Sequence, residues 1–476
     1  MMKIPAQQKK DILADPVSAF SHHYPQASNQ QMATLRTLAK RYSNLENQHK
    51  EVQNQTRQLS RLIGTARKNR ESTDELIASM QHHSKQLKAL SGELTDTGKQ
   101  ILGYFERDNN PDRTENSSAA IRERVYPANE TDYPKVSISL EDNPADDWNH
   151  YVESSRSASI YHRAEWKELI KKTFGHESHY FAARNNNGEV VGILPLVRLS
   201  SRLFGDFMVS MPYFNYGGAV ADHPQVEQQL MQAAAACAAD LGVSHIEYRD
   251  DIPRDGLPAR TGKANMMLPL PDSHEALWQS FKPKLRAQIK RPQRENVQVL
   301  QGGEEYLYDF YSVFTRNMRD LGTPVYARSF FQHILGTFPD ACRLIVIRLD
   351  SKPVAAGFLI GHHDTLEIPW ASTIRDVNHL SMNMLLYWEV LKYAIDNHFR
   401  LFDFGRSSKD AGTYRFKQQW GARPGQLFWH YWLQPGATLP ALNPDNPKYA
   451  LAIKIWRKMP LSMTTRLGPL IVKNLP

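Results

Sequence analysis

Residues 181–196 read FAARNNNGEVVGILPL, and residues 343–360 read RLIVIRLDSKPVAAGFLI. Each reads as an apolar run, a turn and a second apolar run, with the turn at Asn187-Gly188 in the first and at Asp350 to Pro353 in the second. Short Gly/Asn/Asp/Pro turns between such runs mark antiparallel hairpins. Outward from the hairpins, FMVSMPYF (207–214) and TLEIPWAS (365–372) supply a third strand. Helical patterns then follow, VEQQLMQAAAACAADLG (226–242) and NMLLYWEVLKYAIDNHF (383–399), and after them the strands SHIEYRD (244–250) and RLFDFGR (400–406). Gly192 and Gly357 occupy matching places, and Glu247-Tyr248 stands where Asp403-Phe404 stands. The same order used twice predicts an α/β (α+β) body of two tandem mixed-sheet lobes, because short turns between successive strands do not make the long crossovers of a doubly wound sheet. A cleft between two similar lobes is a common ligand site.

At 476 residues the chain is too long for one core, and domains of roughly 100 to 200 residues predict about three units. Apolar residues at 41% and charged residues at 23% exclude a wholly disordered or membrane-embedded chain. The 58 Lys and Arg exceed the 50 Asp and Glu by 8, which makes tRNA, nucleotide-linked sugars or anionic lipid plausible partners. Only Cys237 and Cys342 are present, too few for a disulfide framework and in no metal spacing. No apolar run suits a signal peptide or a bilayer span, so a cytoplasmic location is expected.

The expected organisation is a flexible N-terminus (1–29), a helical arm (30–107), a linker (108–135), a first lobe (136–275), a second lobe (276–440) and a basic helical tail (441–476). In the arm, steps of three and four connect Leu35, Leu38, Tyr42, Leu45, Val52, Leu59, Ile63 and Ala66, and later Ile77, Met80, Leu87, Leu94, Ile101 and Phe105. His49, Thr56, Arg70 and Ser84 interrupt this seam, and the apolar-poor stretch from Gly64 to Thr73 predicts a turn that folds two helices into an antiparallel coiled-coil hairpin. Such heptads serve self-association or a partner first, with an RNA contact as the alternative. The paired histidines His22-His23, His82-His83 and His362-His363 read as polar surface residues, and no metal site, P-loop or nucleophile elbow is found.

LSRLIGTARKNRESTDELIASMQHHSKQLKALSGEL (59–94) resembles the tRNA-binding arm of seryl-tRNA synthetases. From about residue 136 onward, the blocks MPYFNYGG (211–218), KPKLRAQIKR (282–291), RNMRDLGTPVY (316–326), EIPWASTIRDVNHLSMNMLLYW (367–388) and FDFGRSSKDAGTYRFKQQWGA (402–422) resemble the FemAB family, in its branch associated with exosortase (PEP-CTERM) and exopolysaccharide clusters. That resemblance implies two lobes of the Gcn5-related acetyltransferase (GNAT) fold with a BioF2-like acetyltransferase domain. It also implies an acyltransferase, whose better-known relatives move an amino acid from aminoacyl-tRNA onto an amine of a peptidoglycan precursor. Cell-wall relatives with a helical arm carry it inside the second lobe, whereas here it comes first.

Acyl transfer to an amine needs positive charge or hydrogen-bond donors where the oxyanion develops. Phe416, Lys417, Trp420 and Gly421 match the Phe-Lys-x-x-aromatic-Gly motif of Fem transferases, which implies oxyanion stabilisation for Lys417, while Phe416 and Trp420, four apart, suit inward packing. Asp403 ends an apolar strand beside Arg406, where it either accepts a proton or forms an ion pair. Lys284, Arg286, Lys290, Arg291 and Arg294 fall in a short helix that Pro283 begins and Pro292 ends; Arg286 and Lys290 share a face suited to substrate phosphate, or the run is a solvated face. Asn215 and Tyr216, in a turn after a strand, and Trp370, at the end of the matching strand, are further candidates for lining the cleft. Neither VADHPQVEQQL nor NHLSMNMLLYW carries the pyrophosphate loop of acetyl-CoA enzymes of this fold. CoA is therefore the less expected donor, and the resemblance implies aminoacyl-tRNA or another activated acyl donor as co-substrate, with no tightly bound cofactor and an envelope precursor as acceptor. The competing reading is a catalytically silent scaffold that recruits polysaccharide-synthesis partners through its coiled coil. Beyond Asp445 the tail has no acidic residue, and Lys448, Lys454, Arg457, Lys458, Arg466 and Lys473 stand among apolar residues, a pattern that suits anionic membrane or docking on the second lobe.

Overall fold

The computed structural model describes residues 12–23, 29–69, 72–105, 126, 135–144, 146–201, 204–409, 411–440 and 447–475. The chain divides into two compact units, 1–115 and 116–476.

The first unit is a helical hairpin. Within the stretch expected to be flexible, α1 (Pro16–His23) forms, and its Phe20 is buried with Ile12, Leu35 and Ile101. α2 (Asn29–Asn69) and α3 (Asp74–Phe105) pair antiparallel, as cross-contacts from His49 to Ser91 (3.0 Å) and from His83 to Gln55 (3.1 Å) show. The seam is continuous: Leu35, Leu45, Ile63 and Ala66 are buried, and Leu38, Tyr42, His49, Val52, Thr56 and Leu59 are half-buried between them. His49 and Thr56 thus belong to the seam rather than interrupting it, and His83 spans the pair instead of facing solvent alone. α2 continues through Gly64, where an added Cβ would meet no neighbouring atom, to Asn69, and α3 opens at Asp74, so the helix persists through most of the expected turn.

The second unit holds two mixed sheets. Its strands are β1 (Ser137–Glu141), β2 (Glu177–Arg184), β3 (Val190–Ser201), β4 (Gly205–Val209), β5 (Val220–Ala221), β6 (His245–Asp250), β7 (Ala259–Arg260), β8 (Lys263–Pro269), β9 (Val297–Gly302), β10 (Cys342–Leu349), β11 (Lys352–His362), β12 (Thr365–Thr373), β13 (Leu401–Ser408), β14 (Arg423–Gln426) and β15 (Phe428–Leu433). The first sheet runs β1-β2-β3-β4-β6-β15-β7 with β5 on β3, and the second runs β14-β8-β13-β12-β11-β10-β9. All pairings are antiparallel except β4 with β6 and β12 with β13. The sheets exchange strands: β8, which follows the first repeat, pairs with β13, and β15, which follows the second, pairs with β6.

The body's helices are α4 (Asp146–Ser154), α5 (Glu165–Phe174), α6 (Pro224–Asp240), α7 (His274–Ser280), α8 (Pro283–Lys290), α9 (Leu307–Leu321), α10 (Arg328–Thr337), α11 (Met382–Asp396), α12 (Gly412–Gln418), α13 (Pro447–Lys458) and α14 (Leu461–Val472). The matched glycines sit at close approaches. A Cβ on Gly192 would lie 2.7 Å from Ala221 and 3.1 Å from Leu230 of α6, and one on Gly357 would lie 3.0 Å from Ile368. β4 ends at Val209, short of the strand read through FMVSMPYF, because Met211 (φ 56°) and Tyr213 (φ 75°) turn the chain. Trp370 stands within β12 rather than at its end. No helix among the described residues is long and apolar enough to cross a membrane.

Candidate active site

Where β4 and β6 meet, and again where β12 and β13 meet, parallel pairing is brief. It ends at Val209↔Glu247 in the first sheet and at Glu367↔Asp403 in the second, so each sheet has a split at the same step of the repeat.

The first split is filled by a side chain. Arg249, 1% exposed, donates from Nε to Glu247 (3.0 Å) and from Nη1 to the Phe214 carbonyl, and its guanidinium lies 4.5 Å over the Trp429 ring. Tyr431 of β15 donates to the other Glu247 oxygen (2.6 Å). In the second split the equivalent of Arg249 is Gly405, with φ 74°, a conformation that a side chain would strain. Its amide donates to Asp403 Oδ1 (2.7 Å), and its carbonyl accepts from Lys417 Nζ (2.9 Å).

Around Gly405 the polar groups of both lobes converge. Asp403 is 0% exposed; its Oδ2 accepts from the Tyr216 hydroxyl (2.6 Å), which in turn accepts from Asn265 Nδ2 (3.0 Å). Glu367 accepts from the Tyr161 hydroxyl (2.7 Å) and from Asn215 Nδ2 (3.2 Å). Lys417, on α12, also donates to the Arg406 carbonyl (2.9 Å) and is 8% exposed. Burial pushes its ammonium down to about 8, against the opposing pull of Asp403 and Glu367. Two carboxylates held by neutral donors thus face one buried ammonium of lowered pKa.

At the rim the Arg406 guanidinium lies 4.7 Å over the Trp429 ring, and its side chain makes no hydrogen bond or ion pair among the described residues. Trp429 Nε1 and Arg249 Nη2 are buried without a hydrogen-bond partner among the described residues. Trp370, packed edge-on to Phe214 (5.9 Å) and Tyr326 (6.0 Å), forms part of the aromatic wall. Cavities of about 520 Å³ beside Glu227 and Arg254, and of about 610 Å³ beside Tyr151 and Asp222, lie elsewhere in the first sheet's half and touch none of this cluster.

Residues 279–418 match the acetyltransferase (GNAT) domain family, and residues 24–106 match the seryl-tRNA synthetase N-terminal domain family. Among solved structures, FemX aligns at a TM-score of 0.50 and 14% identity, covering 63% of this chain and 98% of its own. The body is a tandem GNAT fold like that of FemX. L-PGS from Bacillus licheniformis (TM-score 0.43, 9% identity, 67% of this chain and 99% of its own) and a tandem GNAT protein from the clavulanic acid biosynthesis pathway (0.41, 13%, 63% and 98%) align more loosely, and the fold assignment does not rest on them. No curated protein matches the chain. The GNAT match takes in Glu367, Asp403 and Lys417, whereas Tyr161, Asn215, Tyr216 and Asn265 lie outside it.

Of the residues singled out in the sequence, Lys417, Asp403, Asn215, Tyr216, Arg406 and Trp370 come together in this tandem GNAT body. Phe416 and Trp420 pack on Tyr387 of α11 (5.1 and 6.0 Å). Lys284, Arg286 and Lys290 do not join the cluster. They lie on α8, whose buried Leu285 and Ile289 face the core and whose Lys290 lies over Trp278 (5.5 Å). α8 packs on α11, and α11 lies on the face of the second sheet opposite Asp403, since Phe404, alternating with Asp403, stacks on Tyr387 (5.4 Å). Glu367, Tyr161, Asn265, Arg249 and Trp429 were missed. Aligning TLEIPWAS with FMVSMPYF sets Glu367 against Val209, a carboxylate replacing an apolar residue at a buried strand end, and that contrast was a usable signal. Tyr161 and Asn265 reach the site from distant segments with no such mark.

Proposed function

We propose that the body is an N-acyltransferase of the FemAB type, which moves an aminoacyl or other acyl group onto an amine of a cell-envelope polysaccharide or peptidoglycan-type precursor, with the donor carbonyl placed at Lys417. The observation that carries this reading is the buried ammonium, of pKa about 8, held on the Gly405 and Arg406 carbonyls at the second split. Attack by the neutral amine forms the N–C bond and moves the carbonyl electron pair onto oxygen, where Lys417 donates a hydrogen bond. Collapse breaks the bond to the donor's leaving oxygen, which takes up the proton released by the amine. Both Asp403 oxygens already accept hydrogen bonds, so Asp403 acts through Tyr216, whose hydroxyl it orients, as a positioning residue. Arg406 on Trp429 suits an anionic group of a substrate, and Lys284, Arg286 and Lys290 of α8 suit phosphate outside the cleft.

The donor in this reading is aminoacyl-tRNA. The arm's likeness to the seryl-tRNA synthetase N-terminal domain and the missing pyrophosphate loop both favour it. Radiolabelled aminoacyl-tRNA and acyl-CoA, offered separately with envelope-precursor extracts, test the assignment: transfer from CoA alone would overturn the donor. Loss of product on deleting residues 1–115, with Lys417→Ala harmless, would favour the scaffold reading instead.

A further inference from the structure

Among the described residues ten large apolar side chains are exposed, and five of them, Leu451, Ile455, Met463, Leu467 and Leu470, lie on the last two helices. This is not a failure of the tail to dock. On α13 Trp456 is buried and Ile453 abuts Gly322; on α14 Thr464, Gly468 and Val472 are buried, with Gly468 so close to Val325 that a Cβ would lie 2.8 Å from its backbone nitrogen. The Lys473 carbonyl accepts from the Tyr213 hydroxyl and bonds the His176 ring, both at 2.7 Å. Each helix therefore has a docked face and a second apolar stripe turned to solvent, Leu451/Ile455 on α13 and Met463/Leu467/Leu470 on α14, at helical spacings of four and of four and three. Leu451 is 60% exposed and Leu470 62%.

The charges beside these stripes are of one sign. Lys454 and Lys458 border the first and Arg466 the second; none forms an ion pair among the described residues, and no Asp or Glu follows Asp445. We propose that α13 and α14 form a lipid-docking surface, with the two aliphatic stripes entering the acyl boundary of an anionic membrane and Lys454, Lys458 and Arg466 meeting its phosphates. A lipid surface supplies the two things this face requires, apolar depth without a shaped partner pocket and a layer of negative charge above it. The two stripes and their flanking cations share no residue with the Lys417 cluster, so the proposal stands or falls independently of the acyltransferase reading.

Flotation of the full chain decides it, using vesicles of phosphatidylglycerol and phosphatidylethanolamine against vesicles of phosphatidylcholine alone, at low and high salt. The expected result is binding to the anionic vesicles that falls at least tenfold at high salt, and at least tenfold in either of two variants. One is Leu451→Ser/Ile455→Ser/Leu467→Ser/Leu470→Ser, and the other Lys454→Glu/Lys458→Glu/Arg466→Glu. Every changed side chain is exposed, so circular dichroism and melting should match the parent and separate lost binding from lost folding. No binding to anionic vesicles, equal binding to phosphatidylcholine, or sedimentation showing a dimer that the apolar variant abolishes would each overturn the proposal; the last would assign the face to a second copy of the chain.

Discussion

At the scale of single residues, the proposed reading gives Lys417 its role through its charge. Removing one preorganised oxyanion donor costs about 10²- to 10³-fold in kcat, and Lys417→Ala is expected to fall in that range, measured by single-turnover transfer. The sign of the pH dependence follows from its pKa. The ammonium is the hydrogen-bonding form, present below about 8 and lost above it, so the rate should decline as pH rises through that value. If Lys417 acted as a base the rate would rise instead. Asp403 helps keep the ammonium charged, so in Asp403→Asn the alkaline limb should move to lower pH, a shift that a purely structural role would not produce. Lys417 was legible because its motif is local, four residues around one helical turn. Glu367 and Tyr161 were not, because their meeting joins positions 206 residues apart and depends on how the two lobes face each other.

At the scale of elements, the repeat was readable because each hairpin carries its own turn residues and its own apolar pairing. The exchange of β8 and β15 was not, since nothing in an isolated strand states which neighbour it will find. This exchange makes a specific prediction. Tyr431 of β15 is buried and donates to Glu247 of the first sheet, so Tyr431→Ala should cost about 3–5 kcal/mol in denaturant unfolding, a core-truncation magnitude. Hydrogen exchange should show that loss first in β6 and β4, not in the second sheet. Arg249→Gly would recreate in the first split the residue found in the second. Because it strands Glu247 in the interior with Tyr431 as its remaining named donor, it should be destabilising by about 3–5 kcal/mol, and it should not create a second active site, since Val209 stands where Glu367 is needed.

At the scale of the whole molecule, the arm and the body are separate compact units, and they call for separate measurements. The heptad positions that suggest self-association face one another across α2 and α3, Leu35, Leu45, Ile63 and Ala66 buried and Leu38, Tyr42, Val52 and Leu59 half-buried. A chain lacking residues 1–115 is expected to keep the melting temperature of the body while the KM for aminoacyl-tRNA rises and kcat holds. An unchanged KM would remove the arm from donor binding. Within the body, the strand exchange has a consequence for inheritance as much as for folding. A polypeptide cut between β6 and β7 would yield a leading piece with a naked edge at β6 and a trailing piece carrying the strand that covers it. The leading piece is no longer a self-sufficient lobe, and the trailing piece keeps every strand of the second sheet with β15 left unpaired on its β6 side. Co-expressed, they should reassemble by strand complementation, whereas swapping one half for that of a distant relative would have to carry a matched strand along with it.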